Sequence, residues 1–261
     1  YRHIQIDSED ALPLDILLDP PAIYRQDKVN IAVIRLPHIS NFTDLDPLIR
    51  EDSIDLHYLS KVRSLDSYDL IIIPGTKNVR FDLQWLKDLG WDQEILKAHQ
   101  LGKQIFGICG GFQILGKSIA DPLGIEGEPG ESQGFGILNT STVLEKTKIL
   151  KRTQAHCPIL DAKCEGYEIH MGVTTLLGQT QPLLQLGEKV DGAHDHNVWG
   201  TYLHGCFDHF EFRHALLKKV SPYFISGKII NELEFKDKQY ELLAKHFEDF
   251  LDIDKIISIV T

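Results

Sequence analysis

Cys109 stands in a pattern that suits a cysteine nucleophile. Residues 107–111 read GICGG, a Gly-x-Cys-x-Gly sequence that follows an apolar strand and precedes a helical run. The Gly-x-nucleophile-x-Gly pattern marks a sharp strand-to-helix turn at the carboxyl edge of a sheet. The dipole of the following helix favours the thiolate, and free N–H groups at the turn can hold an oxyanion. The spacing predicts acyl-transfer chemistry at Cys109, the alternative being a buried structural cysteine.

A second pattern overlaps this turn. Residues 111–118 (GFQILGKS) match the phosphate-loop pattern G-x-x-x-x-G-K-[ST] in every letter. A phosphate loop needs an open loop and then a helix beginning near the lysine, whereas bulky apolar residues fill this one. Asp121 and Pro122 would also end such a helix within about one turn. We therefore predict that Phe112–Ile119 is the helix behind the nucleophile, with Lys117 near its end.

Acyl transfer by a thiolate requires an imidazole that holds and shuttles the proton. Among the twelve histidines, His204 ends the apolar segment Trp199–His204 and precedes Gly205, which places it at a sheet edge. The alternative is an ordinary surface histidine. His194 and His196 lie two residues apart in a polar loop, which is weak evidence for a metal, so we predict a solvated loop and no metal site.

A second turn at the same edge could stabilise an oxyanion. Residues 74–78 (PGTKN) follow the third predicted strand, and Pro and Gly there form a tight turn. The N–H of Gly75 is a candidate oxyanion donor beside the N–H of Gly110. The alternative is a plain turn that ends the strand.

The elements that must position these residues alternate between apolar strands and helices. The predicted strands are Val29–Leu36, Ile54–Leu59, Leu70–Ile73 and Ile105–Ile108, and the predicted helices between them are Phe81–Leu89 and Trp91–Leu101. This alternation predicts an α/β fold with a mostly parallel central sheet flanked by helices. A glycine-rich loop at Gly124–Gly136 precedes four more predicted strands, Gly136–Glu145, Glu165–Met171, Leu183–Leu186 and Trp199–His204.

We predict three segments along the chain. Residues 1–28 form a linker or the remnant of a preceding domain, 29–209 the globular domain, and 210–261 a helical, peripheral tail. The first residue is Tyr and no signal-peptide pattern follows, which suggests a chain cut from a longer one.

Composition excludes several classes of protein. With 261 residues, 43% of them hydrophobic, the chain can bury a full core, yet it contains no unbroken apolar stretch that could span a membrane. A net charge of −11 disfavours nucleic acid and anionic membranes as partners. Four cysteines are too few for a disulfide scaffold, so we predict a reducing cytoplasmic location.

These residues resemble a known family. Residues 107–113 (GICGGFQ) are similar to the elbow of class I, triad-type glutamine amidotransferases, which have a flavodoxin-like fold. Four more segments resemble one branch of that family, the cobyric acid synthases of cobalamin biosynthesis; they are Ile31–Asp44, Pro74–Asn78, Glu165–Gly172 and Trp199–Asp208. The resemblance runs from about Val29 to about Phe210, and Asp7–Leu12 resembles the end of that branch's ATP-binding domain.

The resemblance implies a mechanism for glutamine hydrolysis. Glutamine binds at the elbow, with Gln113 among the substrate-binding residues, and Cys109 attacks the side-chain amide. A γ-glutamyl thioester forms, ammonia leaves and water releases glutamate. His204 acts as general base and acid, while the N–H groups of Gly75 and Gly110 stabilise the oxyanion.

The resemblance also implies a division of labour. Ammonia would pass to an amino-terminal, ATP-dependent domain that carries ATP and Mg²⁺ and amidates carboxylates of adenosylcobyrinic acid a,c-diamide. The implied partners are glutamine, that domain and its corrinoid substrate, with no cofactor in this chain. The chain alone should hydrolyse glutamine and make no corrinoid product.

One departure from the family pattern concerns the acid that orients the imidazole. Most triad-type relatives have a Glu two residues after the histidine, where Cys206 stands here. Asp208, Glu168 or a group on another domain could take this role, and the sequence does not choose among them. Phe112 replaces a histidine of many relatives, at a position that is not the base.

Three alternative functions differ in the acceptor or in the chemistry. The first is a related amidotransferase that acts on cobyrinic acid or on a peptidoglycan precursor. The second is a cysteine peptidase or hydratase on the same fold, against which Gln113 and the segment Tyr167–His170 argue. The third is an inactive docking module, which the presence of both Cys109 and His204 disfavours.

Overall fold

The structure, a computed structural model, describes residues 24–227 and 232–260. Most of the predicted linker at residues 1–28, with the resemblance at Asp7–Leu12, lies outside the described residues. The strands are β1 (Val29–Ile34), β2 (Ile54–Leu59), β3 (Leu70–Ile73), β4 (Gln104–Ile108), β5 (Ser118–Asp121), β6 (Gly130–Gln133), β7 (Thr140–Cys157), β8 (Ala162–Leu176), β9 (Leu184–Leu186), β10 (Lys189–Asp191), β11 (Ala193–Asp195), β12 (Val198–Thr201) and β13 (Leu203–His204). The helices are α1 (Asp46–Ile49), α2 (Val79–Leu89), α3 (Trp91–Gln100), α4 (Gly110–Leu115), α5 (Phe210–Val220), α6 (Glu232–Phe250) and α7 (Ile253–Val260), and a 3₁₀ turn covers Phe42–Leu45.

The central layer is a six-stranded sheet in the order β11-β12-β4-β3-β1-β2. All neighbours pair parallel except β11, which runs antiparallel at the edge. Every residue of β1 and β3 is buried, as expected for strands that helices cover on both faces. The fold class predicted from the alternation of strands and helices is confirmed.

Two helices between β3 and β4 are joined by one glycine. The side chain of Asn78 accepts a hydrogen bond of 3.2 Å from the N–H of Phe81 and so caps the start of α2. Gly90 ends α2 with φ 89°, a left-handed conformation that favours glycine, and α3 begins at the next residue. Trp91 is completely buried there, so the turn docks α3 against the core.

A second sheet, of seven strands, is built around the long hairpin β7–β8. Strand β8 pairs antiparallel with β13, with Tyr167 opposite His204. The hairpin is irregular, since residues 145–148 of β7 lie opposite the single residue Met171 of β8. This hairpin covers the carboxyl end of β4, because the carbonyl oxygen of Ile169 in β8 contacts the side chain of Cys109 there.

The helix predicted for Phe112–Ile119 is shorter than expected. It ends at Leu115, and Ser118–Asp121 is a strand that pairs with β6 and β7. Gly116 is extended, with φ −69° and ψ 179°, and the N–H of Lys117 donates to the carbonyl of Thr140 at 2.8 Å. Strand pairing with β7 replaces the next helical turn, a tertiary effect that local sequence does not show.

The tail beginning at residue 210 is helical but only partly peripheral. In α5 the side chains of Phe212, Leu216 and Leu217 are buried, and Phe212 packs against Phe106 of β4. The prediction of a peripheral tail is therefore wrong for α5, because this helix covers one face of the central sheet. Helix α6 is largely exposed, and none of the helices in the described ranges is long and apolar enough to cross a membrane.

The first turn of α4 lies directly against the backbone of β3. A Cβ atom at Gly111 would stand 1.9 Å from the carbonyl oxygen of Ile73 and 2.6 Å from its carbonyl carbon. A Cβ atom at Gly107 would stand 2.7 Å from the Gly111 backbone. Only glycine permits this approach, which sets the position of the turn between β4 and α4.

Gly111→Ala should destabilise the fold strongly, because the new methyl group meets backbone that cannot move aside. We expect the free energy of unfolding to fall by about 3 kcal/mol or more, measured by urea denaturation. Gly227→Ala is the control, since a Cβ atom there meets only the Glu51 carboxylate, at 3.9 Å. Equal stability of the two variants would show that the close approach does not constrain the fold.

Candidate active site

Cys109 occupies a strained backbone position between β4 and α4. Its φ of 51° and ψ of −107° lie where L-residues are rarely found, a conformation that costs on the order of 1–3 kcal/mol. Its N–H donates to the carbonyl of Thr201 at 2.8 Å, and its Sγ lies 3.7 Å from the carbonyl oxygen of Ile169. The predicted strand–turn–helix geometry is present, with the side chain between the two sheets.

His204 lies beside this thiol and is almost completely buried, with 1% of its surface exposed. Its Nδ1 donates to Oδ2 of Asp44 at 2.7 Å. Because Nδ1 is engaged there, Nε2 is the ring nitrogen left for Cys109, whose thiol is close enough to raise the pKa of His204. The structure thus brings together the two residues that the sequence proposed as nucleophile and base.

Asp44 is a site residue that the sequence analysis missed. It belongs to the 3₁₀ turn after β1 and is buried, with 4% of its surface exposed. Its second oxygen, Oδ1, accepts the N–H of Gly205 at 2.9 Å. One carboxylate therefore holds both the imidazole and the turn that follows it, 160 residues away along the chain.

This finding corrects the candidates proposed for the orienting acid. Asp208 follows His204 closely, but its pKa is raised to about 7, mainly by burial. Glu168 lies in β8, opposite Leu203. Within the described residues, the carboxylate on Nδ1 of His204 is that of Asp44, because the parallel sheet places the end of β1 at the same edge. The nearest signal in the sequence was a carboxylate within the family-like segment Ile31–Asp44.

An aromatic ring holds the face of the imidazole. Tyr167 stacks on His204 with ring centroids 5.3 Å apart and an interplanar angle of 19°. The Tyr167 hydroxyl accepts a hydrogen bond of 3.0 Å from the side-chain amide of Asn41, a residue with φ 52°. Burial raises the pKa of Tyr167 to about 12, so the ring remains neutral. The His204 ring is therefore held on its face by the stacked Tyr167 ring and at Nδ1 by the hydrogen bond to Asp44.

Charge on His204 is stabilised within the site. Burial lowers the pKa of His204, but hydrogen bonds to Asp44 and Cys109 and the attraction of both groups raise it to about 10. The imidazolium is thus favoured despite its burial. An imidazole in this setting can accept the proton of a thiol and keep it until a leaving group takes it.

The two glycines proposed as oxyanion donors are neighbours of this pair. A Cβ atom at Gly75 would stand 3.1 Å from Cε1 of His204, and one at Gly110 would stand 2.5 Å from Cγ2 of Thr76. Gly110 begins α4, where N–H groups have no intrahelical acceptor. The turns after β3 and β4 therefore abut at Cys109, and the oxyanion role of their N–H groups stays a prediction.

A buried aspartate supports the turn after β3. Asp82 of α2 accepts the hydroxyl of Thr76 at 2.5 Å and also contacts Nδ1 of His38 at 2.8 Å. The N–H of His38 donates to the same carboxylate at 3.2 Å. Asp82 thereby ties the loops after β1 and β3, which carry Asp44 and Gly75, to one another.

Gln113 belongs to helix α4, and its side-chain amide is already hydrogen-bonded within the protein. Its Nε2 donates to the hydroxyl of Tyr202 at 3.0 Å, and that hydroxyl pairs with Oγ1 of Thr174 at 2.6 Å. Thr174 in turn pairs with Oγ1 of Thr142 at 2.7 Å. Substrate binding by Gln113 stays a prediction, which this network restricts to its carbonyl oxygen and its remaining N–H.

The histidines His194 and His196 and the cysteine Cys206 form no metal-binding arrangement within the part of the chain that the structure describes. His194 packs on Trp199 with ring centroids 4.0 Å apart, and the side chain of His196 is 88% exposed. No group of three or more His, Cys, Asp and Glu side chains in the described ranges could hold a metal ion. Cys206 is completely buried, and burial raises the pKa of its thiol well above the ordinary value.

Comparison with known proteins agrees with this architecture. A family model described as the CobB/CobQ-like glutamine amidotransferase domain matches residues 30–212. Cobyric acid synthase of Chlorobaculum tepidum is 44% identical over 268 residues, which cover 99% of this chain and 53% of that protein. Cobyric acid synthase of Vibrio parahaemolyticus is 39% identical, over 97% of this chain and 52% of that protein. The chain spans about half the length of the curated relatives it matches.

Two solved structures share the fold. PurLQS from Thermotoga maritima aligns with a TM-score of 0.58 and 20% identity, over 74% of this chain and all of the other. A glutamine amidotransferase aligns with a TM-score of 0.56 and 18% identity, over 73% of this chain and 97% of the other. At these identities the likeness concerns the fold alone.

Asp44→Asn should lower the pKa of His204 from about 10, because the carboxylate that stabilises the imidazolium is removed. The titration of the His204 ring followed by NMR measures the change, and Asp208→Asn should leave it nearly unchanged. A larger shift in the Asp208 variant would reverse the assignment of the orienting acid.

The same pair predicts a pH-dependent contribution to stability. The pKa of His204 in the folded chain, about 10, exceeds its ordinary value of 6.5, so the pair stabilises the fold fully below pH 6.5. That contribution is lost as the pH rises through about 10. The difference in unfolding free energy between wild type and Asp44→Asn should shrink over this range.

Proposed function

The chain belongs to the CobB/CobQ-like glutamine amidotransferase family, and on that basis we propose that Cys109 and His204 hydrolyse glutamine through a cysteine thioester. The observation that carries this proposal is the contact between a thiol at a strained strand-to-helix turn and an imidazole held by Asp44. The family membership supplies the class of substrate. The geometry supports these roles with a thiol beside an imidazole and a carboxylate hydrogen-bonded to the other nitrogen of that imidazole.

The first half of the reaction forms the thioester. His204 accepts the thiol proton through Nε2, and the sulfur attacks the side-chain carbonyl carbon of glutamine. The N–H groups of Gly75 and Gly110 stabilise the negative oxygen of the tetrahedral intermediate. When the intermediate collapses, the C–N bond breaks, the nitrogen takes the proton from His204, and ammonia leaves.

The second half regenerates the enzyme. Water gives a proton to His204 and attacks the thioester carbon, and the C–S bond then breaks to release glutamate. The thiolate takes the proton back from His204, so glutamine and water yield glutamate and ammonia. Asp44 stabilises the imidazolium form of His204 and keeps its Nδ1 protonated throughout the cycle.

We further propose that the ammonia serves an amide ligase of the cobyric acid synthase type. The curated relatives carry that name and are about twice as long, which leaves room for an ATP-dependent part outside this chain. In this proposal that part binds ATP and Mg²⁺ and amidates carboxylates of adenosylcobyrinic acid a,c-diamide. Related amidotransferases for cobyrinic acid or peptidoglycan precursors are less well supported, since the relatives compared above are cobyric acid synthases.

All four cysteines are free thiols, and the compartment we propose is the reducing cytoplasm. Cys157, Cys164 and Cys206 are buried with Cys109, and burial raises the pKa of each of these three thiols. Their neutral, buried state supports packing roles rather than catalysis.

Cys109→Ala should abolish glutamate release from glutamine, because no other group in the site can form the thioester. His204→Ala should lower the rate by a factor of roughly 10³ or more, since the proton then has no carrier. Glutamate release in an enzyme-coupled assay measures both effects, and a glutamine-analogue electrophile should label Cys109 in the wild type. Cys206→Ala is the control and should change the rate little; a loss as large as that of His204→Ala would contradict the assigned roles.

The phosphate-loop pattern at residues 111–118 does not fit a nucleotide. Helix α4 precedes Lys117 and strand β5 follows it, which reverses the order of loop and helix that a phosphate cradle requires. We expect calorimetric titration of Mg-ATP into this chain to show no micromolar binding, and Lys117→Ala to retain glutaminase activity. Micromolar binding of ATP that disappears in Lys117→Ala would contradict the proposal that ATP binds to a part of the enzyme outside this chain.

A further inference from the structure

The segment Ile169–Gly172 of β8 forms a wall of the site that the mechanism above does not use. The carbonyl oxygen of Ile169 lies 3.7 Å from Sγ of Cys109. Its neighbour His170 stacks on Tyr202 with ring centroids 3.8 Å apart and an interplanar angle of 15°. A Cβ atom at Gly172 would stand 2.2 Å from Nε2 of Gln113, so this strand lies directly on the elbow helix.

His170 is held in place through Nδ1, while the lone pair on its Nε2 accepts no hydrogen bond from the described residues. Its Nδ1 lies 2.7 Å from the carbonyl oxygen of Gly172, and because a carbonyl only accepts, Nδ1 carries the hydrogen. In the neutral ring Nε2 is then an acceptor, and it makes no hydrogen bond within the described part of the chain. Burial and the nearby His204 lower the pKa of His170, which keeps the ring neutral near pH 7.

The ring cannot easily turn away from this position. Tyr202, on which it stacks, is buried and receives the amide N–H of Gln113. Tyr202 is also close enough to Cys109 for a thiolate there to raise its pKa, after burial as the larger cause. His170 is therefore fixed by a stacked ring on one face and a backbone hydrogen bond at Nδ1, and it directly follows Ile169, whose carbonyl oxygen lies at the reacting sulfur.

The chemistry of the substrate matches these two acceptors. The carboxamide of glutamine has one oxygen, which the proposed oxyanion donors take, and an NH₂ group with two donors that need acceptors when water is excluded. Ile169 offers a carbonyl oxygen and His170 offers Nε2, and neither can donate. The carboxylate of the product glutamate has only acceptors and would be repelled at the same place.

We propose that the Ile169 carbonyl oxygen and His170 Nε2 together bind the amide nitrogen of glutamine and make the site selective for an amide. This inference rests on the proposed glutaminase function. His170 touches the leaving group but moves no proton, so its effect depends on whether the leaving group carries N–H. That dependence separates it from a residue that only supports the fold.

The test compares two substrates that share the same acyl group. L-Glutamine carries N–H on the leaving group, and the γ-methyl ester of L-glutamate carries none. His170→Phe keeps a ring on Tyr202 but removes the acceptor, and it should lower the ratio of kcat/KM for the amide to kcat/KM for the ester about tenfold. His170→Gln restores an acceptor near Nε2 and should recover part of that ratio.

His194→Phe is the matched control, because His194 is also half-buried against an aromatic ring, that of Trp199. Its amide-to-ester ratio should equal that of the wild type. If His170→Phe lowers both rates equally, or if His170→Gln recovers nothing, the inference is wrong. If the wild type hydrolyses neither substrate, the proposed function fails and the inference fails with it, an outcome distinct from active wild type with an unchanged ratio.

Discussion

The approach of the elbow helix to the neighbouring strand is the constraint on which the site depends. Gly111 lies so close to the carbonyl of Ile73 that no side chain fits between them. This contact fixes where α4 begins, and the turn before it forces Cys109 into a positive φ. The energy that the strained residue costs is offset by packing of β3, β4 and α4, whose side chains are almost all buried. The nucleophile is thus positioned by sterics, before any electrostatic interaction acts on it.

Electrostatics then complete the site from distant parts of the chain. Asp44 comes from the loop after β1 and His204 from the end of β13, and the carboxylate contacts both the imidazole and the following backbone. Burying two charged groups costs free energy unless they pair with each other. Here both oxygens of the Asp44 carboxylate accept hydrogen bonds, one from His204 and one from the N–H of Gly205. Tyr167 adds a flat neutral surface from the second sheet. Cys109 and Asp44 follow strands of the central sheet, whereas His204 and Tyr167 lie on paired strands of the second sheet.

How much of this arrangement could be predicted differs from residue to residue. Cys109 and the fold class were predictable because glycine spacing and strand hydrophobicity are local properties of the sequence. His204 was predictable because it ends an apolar strand. Asp44 was missed because its partner is 160 residues away along the chain, so the candidates left open were Asp208, Glu168 and a group on another domain. The strand at Ser118–Asp121 was missed because its cause is pairing with β7, which no local pattern contains. Residues that act through tertiary contacts leave little signal in their own neighbourhood.

The separation of Asp44 from His204 has a consequence for the newly made chain. During synthesis Asp44 emerges first, Cys109 next and His204 last, and the closure of so long a loop carries a large entropic cost that only the assembled sheets offset. Until β13 has been made and has paired with β8, the thiol has no base. The proposed hydrolysis of glutamine therefore cannot begin before β13 has been made, when most of the domain has already been synthesised.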